Sequence, residues 1–259
     1  MSPSDRRETP LPLRERDSGL HMGWFYALSV FLSRVAAIAF FELRIFDSAR
    51  VPRKGAVVLA ANHQSLLDPW LVGLTQLRRA AYLARDSLFR VPVLGWLIRQ
   101  YDSVPVVRET TAARQSLEVC IKVLERKRAL VLFPEGTRSA DGRLQTLKRG
   151  ISLVVRRSGA TVVPILVRGS HRLWPRKQKL PRFGQVKLYF GNAIVPDGSQ
   201  SSDALVERLE GSYRELALAV GALEVLPEAS RAEGGALVPP PSNSTEGPPV
   251  LSEAASSAV

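Results

Sequence analysis

An α/β fold, a central mixed β-sheet flanked by helices with a membrane-interacting helical segment ahead of it, is what this chain predicts. Three observations carry that expectation. The runs Ala56-Val57-Val58-Leu59-Ala60-Ala61 and Ala129-Leu130-Val131-Leu132-Phe133 are short and continuously apolar, as strands buried on both faces are. Between such runs lie segments with apolar residues at three- and four-residue spacing, for example Ala113, Leu117, Cys120, Ile121 and Leu124. Strand and helix therefore alternate, which points to a sandwich of one sheet and two helical layers. The third observation lies in residues 22–41, where Trp24, Phe25, Leu28, Phe31, Leu32 and Val35 recur on one side of a helix while Tyr26, Ser29, Ser33 and Arg34 fall on the other.

Composition bounds the rest. A chain of 259 residues with 45% hydrophobic content can hold one large domain or two small ones; a single core, over residues 42–226, is the default expectation. The single cysteine, Cys120, excludes an intrachain disulfide and a multi-cysteine metal cluster. His21, His63 and His171 lack metal-ligand spacing, so no metal is expected. A formal charge of +12 asks for an anionic partner: nucleic acid, membrane surface or phosphorylated substrate.

Taken in order, residues 1–19 mix both charges with Pro and Ser and are expected to be poorly ordered. Residues 20–41 are of borderline length for a membrane span and place Arg34 near the middle, so an interfacial helix, or two short ones, is the preferred reading. A soluble helix packed on the core stays open. Residues 42–46 predict a first strand, 56–61 a second, 69–77 a helix and 80–84 a third strand. Pro92 and Gly95 break the helical stretch 86–99. Residues 103–107 predict a strand ending on Arg108, and 112–126 a helix in which Cys120 reads as a core thiol. After the strand at 129–133 follow a helix over 148–157 and a strand over 161–167, where Pro164 argues for an edge or a bulge. Residues 186–190 predict a late strand and 203–220 an amphipathic helix begun by Ser201-Ser202-Asp203. Residues 227–259, rich in Pro, Ser, Gly and Ala, lack periodic apolar residues and are expected to be disordered.

Two loops carry the candidate chemistry. In Asn62-His63-Gln64-Ser65-Leu66-Leu67-Asp68-Pro69, an imidazole and a carboxylate stand five positions apart, close enough for Asp68 to hold one nitrogen of His63 and leave the other as a base. Spacing alone equally allows Asp68 to be a mere helix N-cap. In Pro134-Glu135-Gly136-Thr137-Arg138-Ser139, a carboxylate, a glycine and a guanidinium suit a polar, phosphorylated ligand, since Arg can fork onto phosphate oxygens. An ordinary turn with an internal Glu–Arg pair is the competing reading. Between Arg138 and Arg182 twelve Lys or Arg face one acid, Asp141, for a local charge of +11. That density, highest around residues 171–177, suits anionic headgroups, with a nucleic-acid face or a solvated loop as alternatives.

Together, residues 62–68 and 133–139 resemble the signatures of the glycerolipid acyltransferase family, in the family's order, with Val163-Pro164-Ile165 similar to its last motif. The resemblance runs from Glu42 to about Val195. One motif departs: ahead of Arg108 the family has a glycine and a Phe where this chain has Asp102 and Pro105. The resemblance implies a membrane-bound enzyme, peripheral or monotopic, with its active site on the cytoplasmic side. It would move a fatty acyl group to 1-acylglycerol 3-phosphate or, as the alternative, to another lyso-lipid or glycerol 3-phosphate. It further implies His63 and Asp68 as the catalytic pair. Arg108 and Arg138 would hold the acceptor phosphate, with Glu135, Gly136 and Thr137 shaping that end of the site and Lys148 assisting. No cofactor is implied, only acyl-CoA or acyl-carrier protein as co-substrate. The partners implied are membrane lipid and an anionic membrane surface, not nucleic acid.

Overall fold

The structure, a computed structural model, describes residues 23–75, 80–85, 90, 103–106, 110–198, 200–228 and 230. Arg108, the broken segment 86–99 apart from Arg90, the lead 1–19 and most of the tail from 227 onward lie outside the described residues, and so do the expectations placed on them.

At the centre is a seven-stranded sheet built from β1 (Arg44–Phe46), β2 (Val57–Ala61), β3 (Ala80–Arg85), β4 (Ser103–Val106), β5 (Ala129–Leu132), β6 (Thr161–Arg168) and β7 (Lys187–Phe190), in the order β1-β7-β6-β2-β5-β3-β4. The block from β6 to β4 is parallel, β7 runs antiparallel to β6, and β1 runs parallel to β7, so the sheet is mixed as expected. Strand β2 is the middle one and is buried along its whole length, which is why its sequence is apolar without alternation. Successive side chains nonetheless go to opposite layers. Val58, Ala60, Leu130 and Leu166 join the core under α3 (Thr110–Glu125), α4 (Gly150–Ser158) and α6 (Ser202–Ala219). Val57, Leu59, Ala61, Val131 and Ile165 join the core under α1 (Gly23–Phe41), α2 (Leu67–Leu74) and the short α5 (Ser170–Leu173).

Helix α6 follows its sequence closely. The Ser201 side chain accepts a hydrogen bond from the Ala204 N–H, the reciprocal of a free first-turn donor, and Leu205, Leu209, Tyr213 and Ala217 form the buried stripe one turn apart. Cys120 is fully buried on α3, and burial pushes its thiol up to about 12, so it is the inert core thiol its setting suggests.

Two expectations need correction. Pro164 stands in an interior strand, between β7 and β2, so it does not mark an edge. It does mark a bulge: pairing shifts from Ile165↔Phe190 to Val162↔Ile194, leaving one extra residue on the chain opposite. The Pro164 nitrogen faces that irregularity, where no ladder donor is needed. Helix α2 begins at Leu67 rather than Pro69 and has no side-chain cap from Asp68; the Ser65 hydroxyl accepts the Leu67 N–H instead. On α1, the side facing the body is built around Ala37 and Phe41, the latter edge-on to Trp70 at 5.9 Å, together with Arg34, whose Nε donates to the Leu74 carbonyl at the end of α2. The stripe Leu28, Phe31, Leu32, Val35 and Ile38 faces away from the body, Phe31 and Ile38 each 61% exposed. Among the described residues, no helix is long and apolar enough to cross a membrane.

Candidate active site at the carboxyl ends of β2 and β5

Strands β2 and β5 are parallel neighbours, and both chemistry-bearing loops leave them at the same edge of the sheet. Loops at the carboxyl ends of parallel strands are where such sheets build sites. Asn62 extends β2 by one step with its side chain. Its Nδ2 donates to the Val167 carbonyl at 3.0 Å and its Oδ1 accepts the Val167 N–H at 2.6 Å, so the backbone can turn away without orphaning β6.

The turn that follows is organised by Asp68, which is fully buried. Its Oδ2 accepts the backbone N–H groups of Gln64 and Ser65, both at 2.6 Å, and lies 3.0 Å from Nδ1 of His63. This decides against the simple capping role: the carboxylate points back into the loop rather than onto its own helix. A proton on Nδ1, shared with Asp68, leaves Nε2 of His63 with its lone pair free to act as a base. The ring is further held by stacking on Phe133, with centroids 4.2 Å apart and planes at 26°. It stays partly exposed, whereas its carboxylate partner is sealed.

Glu135 grips the same histidine by its backbone. Its Oε1 accepts the His63 N–H at 3.0 Å, and its Oε2 accepts from Nε2 of Gln145 at 3.1 Å. Only 2% exposed, the carboxyl is pushed up to about 8 by burial, against the opposing pull of those two donors and with a small addition from the charge of Asp68. The other end of the turn closes the clamp, since the Ser139 N–H donates to the His63 carbonyl at 2.7 Å. His63 is thus held on both sides of its backbone by the 135–139 turn.

Gly136 adopts φ +70°, and a Cβ there would meet the aliphatic end of Lys148 at 2.9 Å, so the glycine lets that side chain lie across the turn. The Thr137 carbonyl accepts a second hydrogen bond from Gln145. Arg138 is half-buried in the same turn, immediately before the residue that bonds His63. Of the seven sequence-predicted site residues, six therefore lie on these two interlocked loops, and Arg108 is outside the described residues. Sequence reasoning missed Gln145, the second donor to Glu135, and the aromatic support from Phe133. Phe133 stood in the quoted motif, but Gln145 had no local signal because its partner is ten positions away.

Residues 42–168 match the Acyltransferase family model. Over those residues the chain is similar to that family. Among its relatives is the 1-acyl-sn-glycerol-3-phosphate acyltransferase of Chlamydomonas reinhardtii, 31% identical over 192 residues that make up 69% of this chain and 57% of that protein. The chloroplastic 1-acyl-sn-glycerol-3-phosphate acyltransferase of Arabidopsis thaliana is 29% identical over 54% of this chain and 40% of its own length. The crystal structure of the 1-acyl-sn-glycerophosphate acyltransferase PlsC from Thermotoga maritima superposes with a TM-score of 0.63 at 24% identity, covering 76% of this chain and 87% of that one. That last likeness speaks for the acyltransferase fold. Against the plant and algal relatives, the chain spans between 34% and 57% of their lengths.

Proposed function

We propose that this protein transfers a fatty acyl group from an acyl thioester, acyl-CoA or acyl-carrier protein, to the free hydroxyl of 1-acylglycerol 3-phosphate, giving phosphatidic acid. The observation that carries the reading is the 3.0 Å contact between Asp68 Oδ2 and His63 Nδ1, which leaves Nε2 as the outward base beside the Glu135–Arg138 turn. Nε2 of His63 takes the hydroxyl proton as that oxygen attacks the thioester carbonyl. Asp68 steadies the imidazolium that forms. Collapse of the tetrahedral intermediate breaks the C–S bond, and the proton passes from His63 to the departing thiolate. No acyl-enzyme is formed, in keeping with the buried, inert Cys120. Arg138, with Arg108, holds the acceptor phosphate.

The outward stripe of α1 gives the enzyme a bilayer contact without a span. Leu28, Phe31, Leu32, Val35 and Ile38 would lie among acyl chains and the +11 segment would meet anionic headgroups, each cation contributing about 1 kcal/mol near such a surface. The site would work on the cytoplasmic side, where acyl thioesters are found. The decisive test is purified protein with acyl-CoA and a panel of acceptors (lysophosphatidic acid, glycerol 3-phosphate and uncharged lyso-lipids), read by thiol release and product mass. Phosphatidic acid formed from lysophosphatidic acid, and lost by at least ~100-fold in His63→Ala, is the expected result. Turnover of another acceptor alone corrects the substrate, and a His63→Ala enzyme with most of its activity overturns the mechanism.

A further inference from the structure

Residues 174–184 form a loop that the proposed chemistry does not use, and its composition is unusual for a connection between a helix and a strand. Leu180 is 75% and Phe183 76% exposed, more than any other large hydrophobic side chain among the described residues. Around them stand Arg176, Lys177, Lys179 and Arg182, all exposed, and no acidic residue occurs anywhere from Gly142 to Pro196. A solvated loop has no reason to present two large apolar side chains this openly.

The loop is also built rather than loose. The Trp174 indole N–H donates to the Gln178 carbonyl at 3.0 Å, the Arg182 N–H to the Leu173 carbonyl at 2.8 Å, and the Gln178 amide to the Leu180 carbonyl. Its far end is fastened to the last turn of α1: the Gly184 N–H donates to the Phe40 carbonyl and the Phe183 ring stacks on the Phe40 ring with centroids 5.4 Å apart. The two rings join the loop to the outward apolar stripe of α1. Its near end is fastened to the catalytic turn, because the Ser65 hydroxyl donates to the Trp174 carbonyl at 2.9 Å.

We propose that residues 174–184 are a second bilayer contact beside α1, with Leu180 and Phe183 inserted among acyl chains and the four cations held on anionic headgroups. This rests on the interfacial placement proposed above and adds a separate element to it. Two contacts fix the tilt of the protein on the surface where one helix alone would let it roll. The Ser65 tie then sets the His63 turn at a constant height above the bilayer.

The test uses the full chain in sedimentation with phosphatidylcholine vesicles, with and without phosphatidylglycerol. Leu180→Ser with Phe183→Ser should lower vesicle partitioning by ~10-fold or more on both compositions. Neutralising the four cations to Gln should lower it only on the phosphatidylglycerol vesicles. Unchanged melting temperatures show that each variant is folded. An environment-sensitive fluorophore on Leu180→Cys, with the buried Cys120 inaccessible, should shift to the blue when the intact protein binds. If Phe31→Ser with Val35→Ser loses partitioning while the loop variants keep theirs and the fluorophore does not shift, the loop proposal falls and the α1 reading stands. If all variants partition as the parent does, the interfacial placement itself falls. A solution dimer that the Leu180→Ser and Phe183→Ser pair dissolves overturns the proposal in favour of a second copy of the chain.

Discussion

Asp68→Asn isolates what the carboxylate contributes to the base from what it contributes to the loop. In the parent, one oxygen does all the bonding: Oδ2 meets the Gln64 and Ser65 amides at 2.6 Å and His63 Nδ1 at 3.0 Å, while Oδ1 is buried with no hydrogen-bond partner. Asn can set its carbonyl oxygen where Oδ2 stands, keep both amide bonds, and turn its NH2 toward the unpartnered side. Each amide bond drops from the charged class, about 1.5–3 kcal/mol, to the neutral class of about 0.5–1.5 kcal/mol, and the buried NH2 adds its own desolvation. A stability loss of about 2–4 kcal/mol is expected, which urea unfolding would resolve. The rate effect is larger in kind, because the imidazolium formed on proton abstraction loses its anion in a sealed pocket. A fall in kcat of ~100- to 1,000-fold is expected, about 3–4 kcal/mol of transition-state stabilisation, with the KM of the acceptor within about threefold. Asp68→Ala would not serve, since it strips the acceptor from two backbone N–H groups and confounds collapse of the loop with loss of the base. A kcat for Asp68→Asn within about threefold of the parent would mean that the carboxylate only scaffolds the turn.

Two further substitutions probe the clamp and the chain path behind it. Glu135 has a folded-state pKa of about 8 against an ordinary 4.5, so between those values the folded protein holds a proton that the unfolded chain has released. Stability therefore declines as pH rises from about 4.5 and levels off above about 8, and Glu135→Gln removes that part of the slope. Denaturant midpoints from pH 5 to 9 should fall less steeply in the variant, and parallel curves would show that the buried carboxyl does not titrate there. Gly169, between β6 and α5, has φ +96°, and a Cβ would stand 2.5 Å from the Gln185 carbonyl oxygen. Gly169→Ala should cost about 2–4 kcal/mol through left-handed backbone strain and displacement of the strand approach, and a change below about 0.5 kcal/mol in equilibrium unfolding would contradict that contact.

The parts of the fold that were legible in the sequence are those whose burial is complete or whose signal is local. Strand β2 is sealed along its length and β5 along all but its last residue, so apolarity alone marks them, and Ser201 caps α6 with a bond spanning three residues. The parts that were not legible depend on which neighbour arrives. Periodicity in α1 sorts an apolar side from a polar one but cannot say which faces the body; Arg34, though exposed, bonds the Leu74 carbonyl, and the apolar stripe is left outside. Asp68 before Pro69 has the chemistry of an N-cap, and only the conformation of residues 63–65, which presents two amides and an imidazole, turns it the other way. Pro164 read as an edge or a bulge, and the sequence could not choose between them because the extra residue lies on the opposite chain, near residues 191–193.

The two buried carboxylates beside His63 divide their work by the atom they meet. Asp68 meets the ring at Nδ1 and so leaves Nε2 as the nitrogen that would serve as the proposed base; Glu135 meets the backbone N–H and fixes where that ring stands. Because burial raises Glu135 to about 8, it loses little by giving up charge in this role, whereas a group that must steady an imidazolium has to be an anion. This accounts for the spacing within both motifs. Five positions are needed for Asp68 to curl back over two amides onto Nδ1, and four separate Glu135 from Ser139 so that one turn can hold the His63 N–H and carbonyl together. Arg138 is carried to the same edge by that clamp. A ligand group held by that guanidinium would in this way be indexed to the imidazole through the two backbone hydrogen bonds that tie His63 to the turn.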